Sequence, residues 1–122
     1  MSNISNIILG KEGEAAALDF LIDKGYHLLH KNWRHNKSEI DLIVKKENKV
    51  VFVEVKTRKK TFHSIADLVS LHQQKRILNA ANTYIKKYCL DEEIRFDLIE
   101  VEMPNKSPNF IHQKEFIQPT LL

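Results

Sequence analysis

Two stretches of the chain place apolar residues at helical spacing, and four alternate them as strands do. Over 7–24, Ile7, Ile8, Ala15, Leu18, Leu21 and Ile22 recur every three to four positions and Gly25 follows as a C-terminal stop, which predicts a helix. Over 66–88, Val69, Ile77, Ala80, Ala81, Tyr84, Ile85 and Tyr88 predict a second, amphipathic helix. Between the helices a strand is expected from Tyr26 in YHLLHKNWR, a second in EIDLIVK and, after a turn at KENK, a third in VVFVEVKT. EIRFDLIEV, 93–101, reads as a fourth, and the tail with Pro104, Pro108 and Pro119 as irregular or weakly extended. The order αβββαβ describes a mixed α/β domain over 1–103, with a central sheet flanked by helices and with 104–122 packed on it as a tail.

The third strand breaks its own pattern. In VVFVEVKTRKK, Val51, Val53 and Val55 share one face, while Val50, Phe52, Glu54 and Lys56 share the other, which turns from apolar to charged along its length. A strand leaving the core and ending at a site has this form. For Ile40, Leu42 and Val44 to share a face with Val51, Val53 and Val55, paired residue numbers must sum to an odd value, and a tight loop at Glu47 and Asn48 makes that sum 95. Asp41 then lies opposite Glu54, Glu39 opposite Lys56 and Ile43 opposite Phe52, with facing Cβ atoms about 4.5–5.5 Å apart. Facing carboxylates repel unless a cation or a shared proton compensates, and an oxygen-only donor set suits Mg²⁺ or Mn²⁺. The plainer alternative is a wet sheet face with a Glu39–Lys56 pair and solvated acids.

Glu14 adds a third acid. It lies one turn before Leu18 and two before Leu21, on the stripe expected to meet the core, and Gly10 and Gly13 flank it where a helix backbone could closely approach the sheet, a ligand or a phosphate. Its alternative is a helix N-terminal Glu favoured by the dipole.

Composition narrows the setting. A chain of 122 residues, 43% hydrophobic and 29% charged, suits one globular domain. Cys89 is the single cysteine, expected as a small buried apolar residue; it excludes an intrachain disulfide and fits a reducing cytoplasm. MSNISNIILG lacks a basic start followed by a long apolar core, so neither secretion nor membrane insertion is expected. A formal charge of +3 is compatible with a nucleic-acid partner. Arg58, Lys59 and Lys60 after the third strand, and Lys75 and Arg76 in the second helix, are candidate phosphate contacts; Trp33 is expected in the core, with Arg34 beside it as a further contact. His27 and His30 fall on opposite strand faces, and no P-loop, Cys-based metal site or Ser-His-Asp arrangement is present.

Taken together, E-x-x-A at 14–17, NWR at 32–34, EIDLI at 39–43, FVEVKTR at 52–58, the Lys75-Arg76 helix and RFD at 95–97 resemble the YraN family over roughly residues 9–101. That family is grouped with the PD-(D/E)XK nucleases, with archaeal Holliday-junction resolvases as better-understood relatives. The resemblance implies a restriction-endonuclease-like fold with Glu14, Asp41, Glu54 and Lys56 at the catalytic positions. Ser38 departs from the glycine usual in the family before Glu-Ile-Asp.

Phosphodiester hydrolysis needs a nucleophilic water, neutralisation of the scissile phosphate and stabilisation of the leaving oxygen. Asp41 and Glu54 are expected to hold Mg²⁺ or Mn²⁺, with Glu14 and the Val55 carbonyl completing the shell, while Lys56 orients the nucleophile and Glu39 partners Lys56. The expected function is a metal-dependent endonuclease acting on DNA, branched or distorted structures among the candidates, with a homodimer suiting two symmetric cuts. The alternative is a nucleic-acid-binding module that keeps the fold without cutting.

Overall fold

The alternating segments assemble into one five-stranded sheet in a computed structural model that describes residues 2–59, 65–103 and 107–122. Its strands lie in chain order: β1 (His27–His35), β2 (Ser38–Lys46), β3 (Lys49–Arg58), β4 (Glu93–Glu102) and β5 (Asn109–Ile117). β3 and β4 are parallel because the chain crosses between them through α2 (Ile65–Leu68) and α3 (Leu71–Lys87); the other neighbours are antiparallel. α1 (Ser2–Asp23) packs on one face and α3 on the other.

The hairpin β2–β3 has the register that parity required: Leu42↔Val53, Ile43↔Phe52, Val44↔Val51 and Lys46↔Lys49 all sum to 95. Its turn is tight enough to force Glu47 to φ 56°, a left-handed conformation that costs a non-glycine residue about 1–2 kcal/mol. Alternation then sends Val51, Val53 and Val55 beneath α1, with Leu42 and Val44, and Val50 and Phe52 beneath α3. Ile40 departs from the expected parity. It is buried in the cluster under α3, in register with the half-buried Trp33 of β1, because the ladder between β2 and β3 ends at Leu42.

The face of α1 differs from the sequence expectation. Gly13, Ala17 and Leu21 are buried, whereas Ile4, Ile7, Ile8 and Ile22 are 61%, 59%, 52% and 49% exposed and Ala15 is exposed as well. The reason is Gly13: a Cβ there would sit 1.9 Å from Thr57 Oγ1, so only glycine lets the helix backbone settle onto β3 at this point. That close approach fixes which stripe is inward, and the bulkier isoleucine stripe rotates out.

Three further expectations are revised. The helix over 66–88 breaks at Val69–Ser70, where the Ser70 hydroxyl accepts the Gln73 N–H and caps α3. Residues 109–117 of the tail form β5, a regular strand on β4. Cys89 is exposed, since it follows the end of α3 with φ 51°. Among the described residues no helix is long and apolar enough to cross a membrane.

Candidate functional site

The site begins where β2 and β3 separate. Past Leu42↔Val53 the ladder stops, and the Asp41 carboxylate accepts the Val55 N–H through Oδ2 at 2.8 Å. A side chain has replaced the backbone partner, and the two strands splay into a cleft of about 800 Å³. Glu54, only 6% exposed, is on the same sheet face as Phe52 and lies against Asp41. Burial, reinforced by the charge of Glu54 and a side-chain hydrogen bond to it, pushes the Asp41 carboxyl far above the ordinary carboxylate range. Two carboxylates so placed repel, and a proton or a cation on the pair relieves that repulsion.

Lys56 Nζ is 3.4 Å from Glu54 Oε2, and Gln73 Nε2 donates to the same oxygen at 2.5 Å. The expected Glu39–Lys56 pair is not formed. Lys56 follows Glu54 by two residues on one strand face, while β2 has already diverged, so Glu39 turns to its β1 neighbour Arg34 at 3.7 Å. Glu14 borders the cleft from α1 and accepts a hydrogen bond from Asn32 Nδ2 at 2.8 Å; burial raises its carboxyl, and Asn32 opposes that shift. Asn32 reaches it because the backbone is left-handed there, with φ 50°.

The structure thus gathers Glu14, Asp41, Glu54, Val55, Lys56, Arg58 and Arg76 around one cleft, with Gly10 and Ser38 also lining it. Arg34, Lys59 and Lys75 are exposed outside its lining, and Lys60 lies outside the described residues. Among the described residues no group of three or more His, Cys, Asp or Glu side chains converges as a metal shell; Asp41 and Glu54 converge as a pair, with Glu14 to one side. Gln73 and His72 were absent from the sequence-based site. Ser70-Leu71-His72-Gln73 carries the Ser-x-x-Gln signature of a helix start, which would have placed Gln73 in the first turn of α3 facing the cleft.

A second acidic centre lies farther down the sheet. Asp97 is fully buried and accepts hydrogen bonds from Arg95 Nε and Nη2 at 2.8 Å each, from His112 Nε2 at 2.7 Å and from the Glu115 N–H at 3.2 Å. Burial opposes its charge, yet the bonds from His112 and Arg95 hold its carboxyl below the ordinary range.

A five-stranded mixed sheet between helices, with an Asp and a Glu-x-Lys meeting where its central hairpin opens, defines an α/β domain of the restriction-endonuclease-like class. A family model described as the uncharacterised protein family UPF0102 matches residues 13–101. A UPF0102 protein of Bacteroides thetaiotaomicron is 42% identical over 114 residues, covering 93% of this chain and 94% of the relative. One from Phocaeicola vulgatus is 39% identical over 114 residues, 92% of this chain and 93% of the relative, and one from Flavobacterium psychrophilum is 44% identical over 105 residues, 85% and 88%. The chain belongs to the UPF0102 (YraN) family.

Proposed function

We propose that the protein is a divalent-metal-dependent endonuclease that hydrolyses DNA phosphodiesters. The observation that carries this reading is the adjacent Asp41–Glu54 pair with Lys56 beside it, in a cleft that Arg58 and Arg76 also line. Two neighbouring buried carboxylates with one lysine beside them are costly, and oxygen donors in this arrangement match Mg²⁺ or Mn²⁺.

Asp41 and Glu54 would hold the ion, with the Val55 carbonyl beside them and Glu14 acting through water, since its carboxylate is already engaged by Asn32. The ion would supply charge neutralisation at the scissile phosphate and activation of the attacking water. Both carboxylates would have to be ionised to hold it. Gln73 fixes the Glu54 carboxylate by its hydrogen bond. Lys56, half-buried in the wall, would offset phosphate charge and orient the nucleophile. Arg58 and Arg76 hold flanking phosphates without reading sequence. A cytoplasmic setting and a homodimer giving paired cuts fit this role.

The test is cleavage of labelled linear, flapped and four-way DNA in Mg²⁺ or Mn²⁺. Cutting that disappears in Glu54→Gln supports the reading. Cutting that survives Glu54→Gln overturns it, and binding without cutting in every metal identifies a nucleic-acid-binding module on a nuclease fold.

A further inference from the structure

At the opposite end of the sheet from the cleft, a pocket of about 140 Å³ is lined by Tyr26, Lys46, Glu47, Lys49, Arg95 and Lys114. It is well below the roughly 300 Å³ at which pockets for drug-sized ligands begin, so its occupant is an ion or a small group. Four of its six lining residues are cationic and one is acidic. The buried acid nearest to it, Asp97, is already matched by Arg95 and His112.

Arg95 gives the pocket a fixed donor. Its Nε and Nη2 are bound to Asp97, and Nη2 also donates to the Tyr26 hydroxyl at 2.6 Å. Nη1 makes no hydrogen bond among the described residues. A guanidinium clamped on two sides loses almost no freedom on meeting a ligand with the third. Lys46 is also held, its Nζ donating to the Lys24 carbonyl at 2.7 Å and lying 5.3 Å from the Tyr26 ring. Lys49 and Lys114 are exposed, and among the described residues neither is within 4 Å of an acid as an ion pair.

We propose that this pocket binds one phosphate group, with Arg95 Nη1 as its fixed donor and Lys46, Lys49 and Lys114 as the surrounding charge. A carboxylate would bring one charge and two oxygens to the three lysines of the lining, whereas a phosphate brings more of both and matches a guanidinium edge. Lys49 is seven residues before Lys56 on β3, so the pocket lies about 23 Å from the cleft at about 3.3 Å per residue. A phosphate held there is therefore separate from one being cut. The phosphate could belong to a nucleic-acid strand extending from the cleft or to a free phosphate or nucleotide, and the two sources are separable. The proposal itself does not depend on nuclease activity.

The test is an NMR titration of the ¹⁵N-labelled full chain with inorganic phosphate, with chloride exchanged to keep ionic strength constant and acetate as a control. Saturable shifts at the Arg95 Nε–H signal and the 46–49 amides, weakened about tenfold in Lys49→Gln/Lys114→Gln, support the site; both replaced side chains are exposed, so the fold is retained. Shifts that grow without saturating, or an affinity unchanged in the double variant, overturn it. A parallel titration in chelator uses an oligodeoxynucleotide without terminal phosphates. Weaker binding by the double variant identifies a nucleic-acid strand as the source, and unchanged oligonucleotide binding beside lost phosphate binding identifies free phosphate or a nucleotide.

Discussion

Asp41 and Asp97 belong to the same sheet and are treated in opposite ways. Asp97 has no exposed surface and accepts four hydrogen bonds, two from one guanidinium, so its charge is closed within the fold. Asp41 has a backbone N–H on one oxygen and a second carboxylate beside it, and Lys56 is 3.4 Å from Glu54. One carboxyl is held below the ordinary range and the other is driven above it. A fold that can supply Arg95 and His112 to one aspartate is able to neutralise buried charge. Among the described residues the Asp41–Glu54 pair lacks such partners, which is what the proposed metal site would require.

The largest effect that tests this contrast is Asp97→Asn. It leaves Arg95 and His112 facing an amide in a dry environment, and removal of one partner of a buried ion pair costs about 3–5 kcal/mol. Urea melts should show that loss; a change below about 1 kcal/mol would mean the network is not an anchor. Asp41→Asn should behave oppositely. In chelator the variant is expected to be as stable as the parent or more so, by up to about 1 kcal/mol, because it removes a repulsion already softened by the proton. The stabilisation that a parent gains from Mg²⁺ at a hundredfold excess over its dissociation constant, about 2.7 kcal/mol, should largely vanish. A metal-insensitive parent together with a destabilised Asp41→Asn would reverse the assignment.

The same contrast has a pH signature. A lowered carboxyl contributes stability that is present above the unfolded value of about 3.9 and is lost as pH falls through the folded value, so Asp97 governs the acid limb. A raised carboxyl does the reverse. The folded chain keeps a proton that the unfolded chain releases above about 3.9, so without metal Asp41 makes stability decline as pH rises from there toward its folded value. Thermal midpoints across pH, in chelator, should lose the decline on the alkaline side in Asp41→Asn and flatten on the acid side in Asp97→Asn. Parallel profiles for parent and Asp41→Asn would show that the proton is not shared.

These two centres were unequally legible in the chain. The register from Leu42↔Val53 to the turn followed from side-chain parity and the position of one tight turn, whereas beyond it Ile40 breaks the parity and Asp41 accepts the Val55 N–H in place of a ladder pairing with Glu54. Asp97 appeared only as part of RFD, because His112 and Glu115, which complete its shell, lie on β5, and the tail gave no strand signal: its HQKE segment interrupts the alternation and Glu115 adopts φ 58°. The α1 face misled for a related reason. Its isoleucines form the more apolar stripe, but helix seating was decided by steric room at Gly13 against Thr57, a contact between residues far apart in sequence. Gln73 was hidden because α3 was read as starting at 66, five residues before its capped start.

The smallest expected effect concerns what stands in for a guanidinium at the cleft. Arg95 gives Asp97 two charge-assisted bonds, while Gln73 gives Glu54 one bond from a neutral amide. An amide can steady a carboxylate without neutralising it, so it leaves the pair available to an incoming cation. Gln73→Ala should therefore cost about 0.5–1.5 kcal/mol, the worth of one hydrogen bond, measured by urea melts in chelator. Gln73→Lys should instead offer Glu54 a second resident cation beside Lys56. That variant is expected to be at least as stable as the parent without metal and to show less stabilisation by Mg²⁺, moving the cleft toward the Asp97 condition. If Gln73→Lys leaves the metal response unchanged, the difference between the two centres does not lie in their cations.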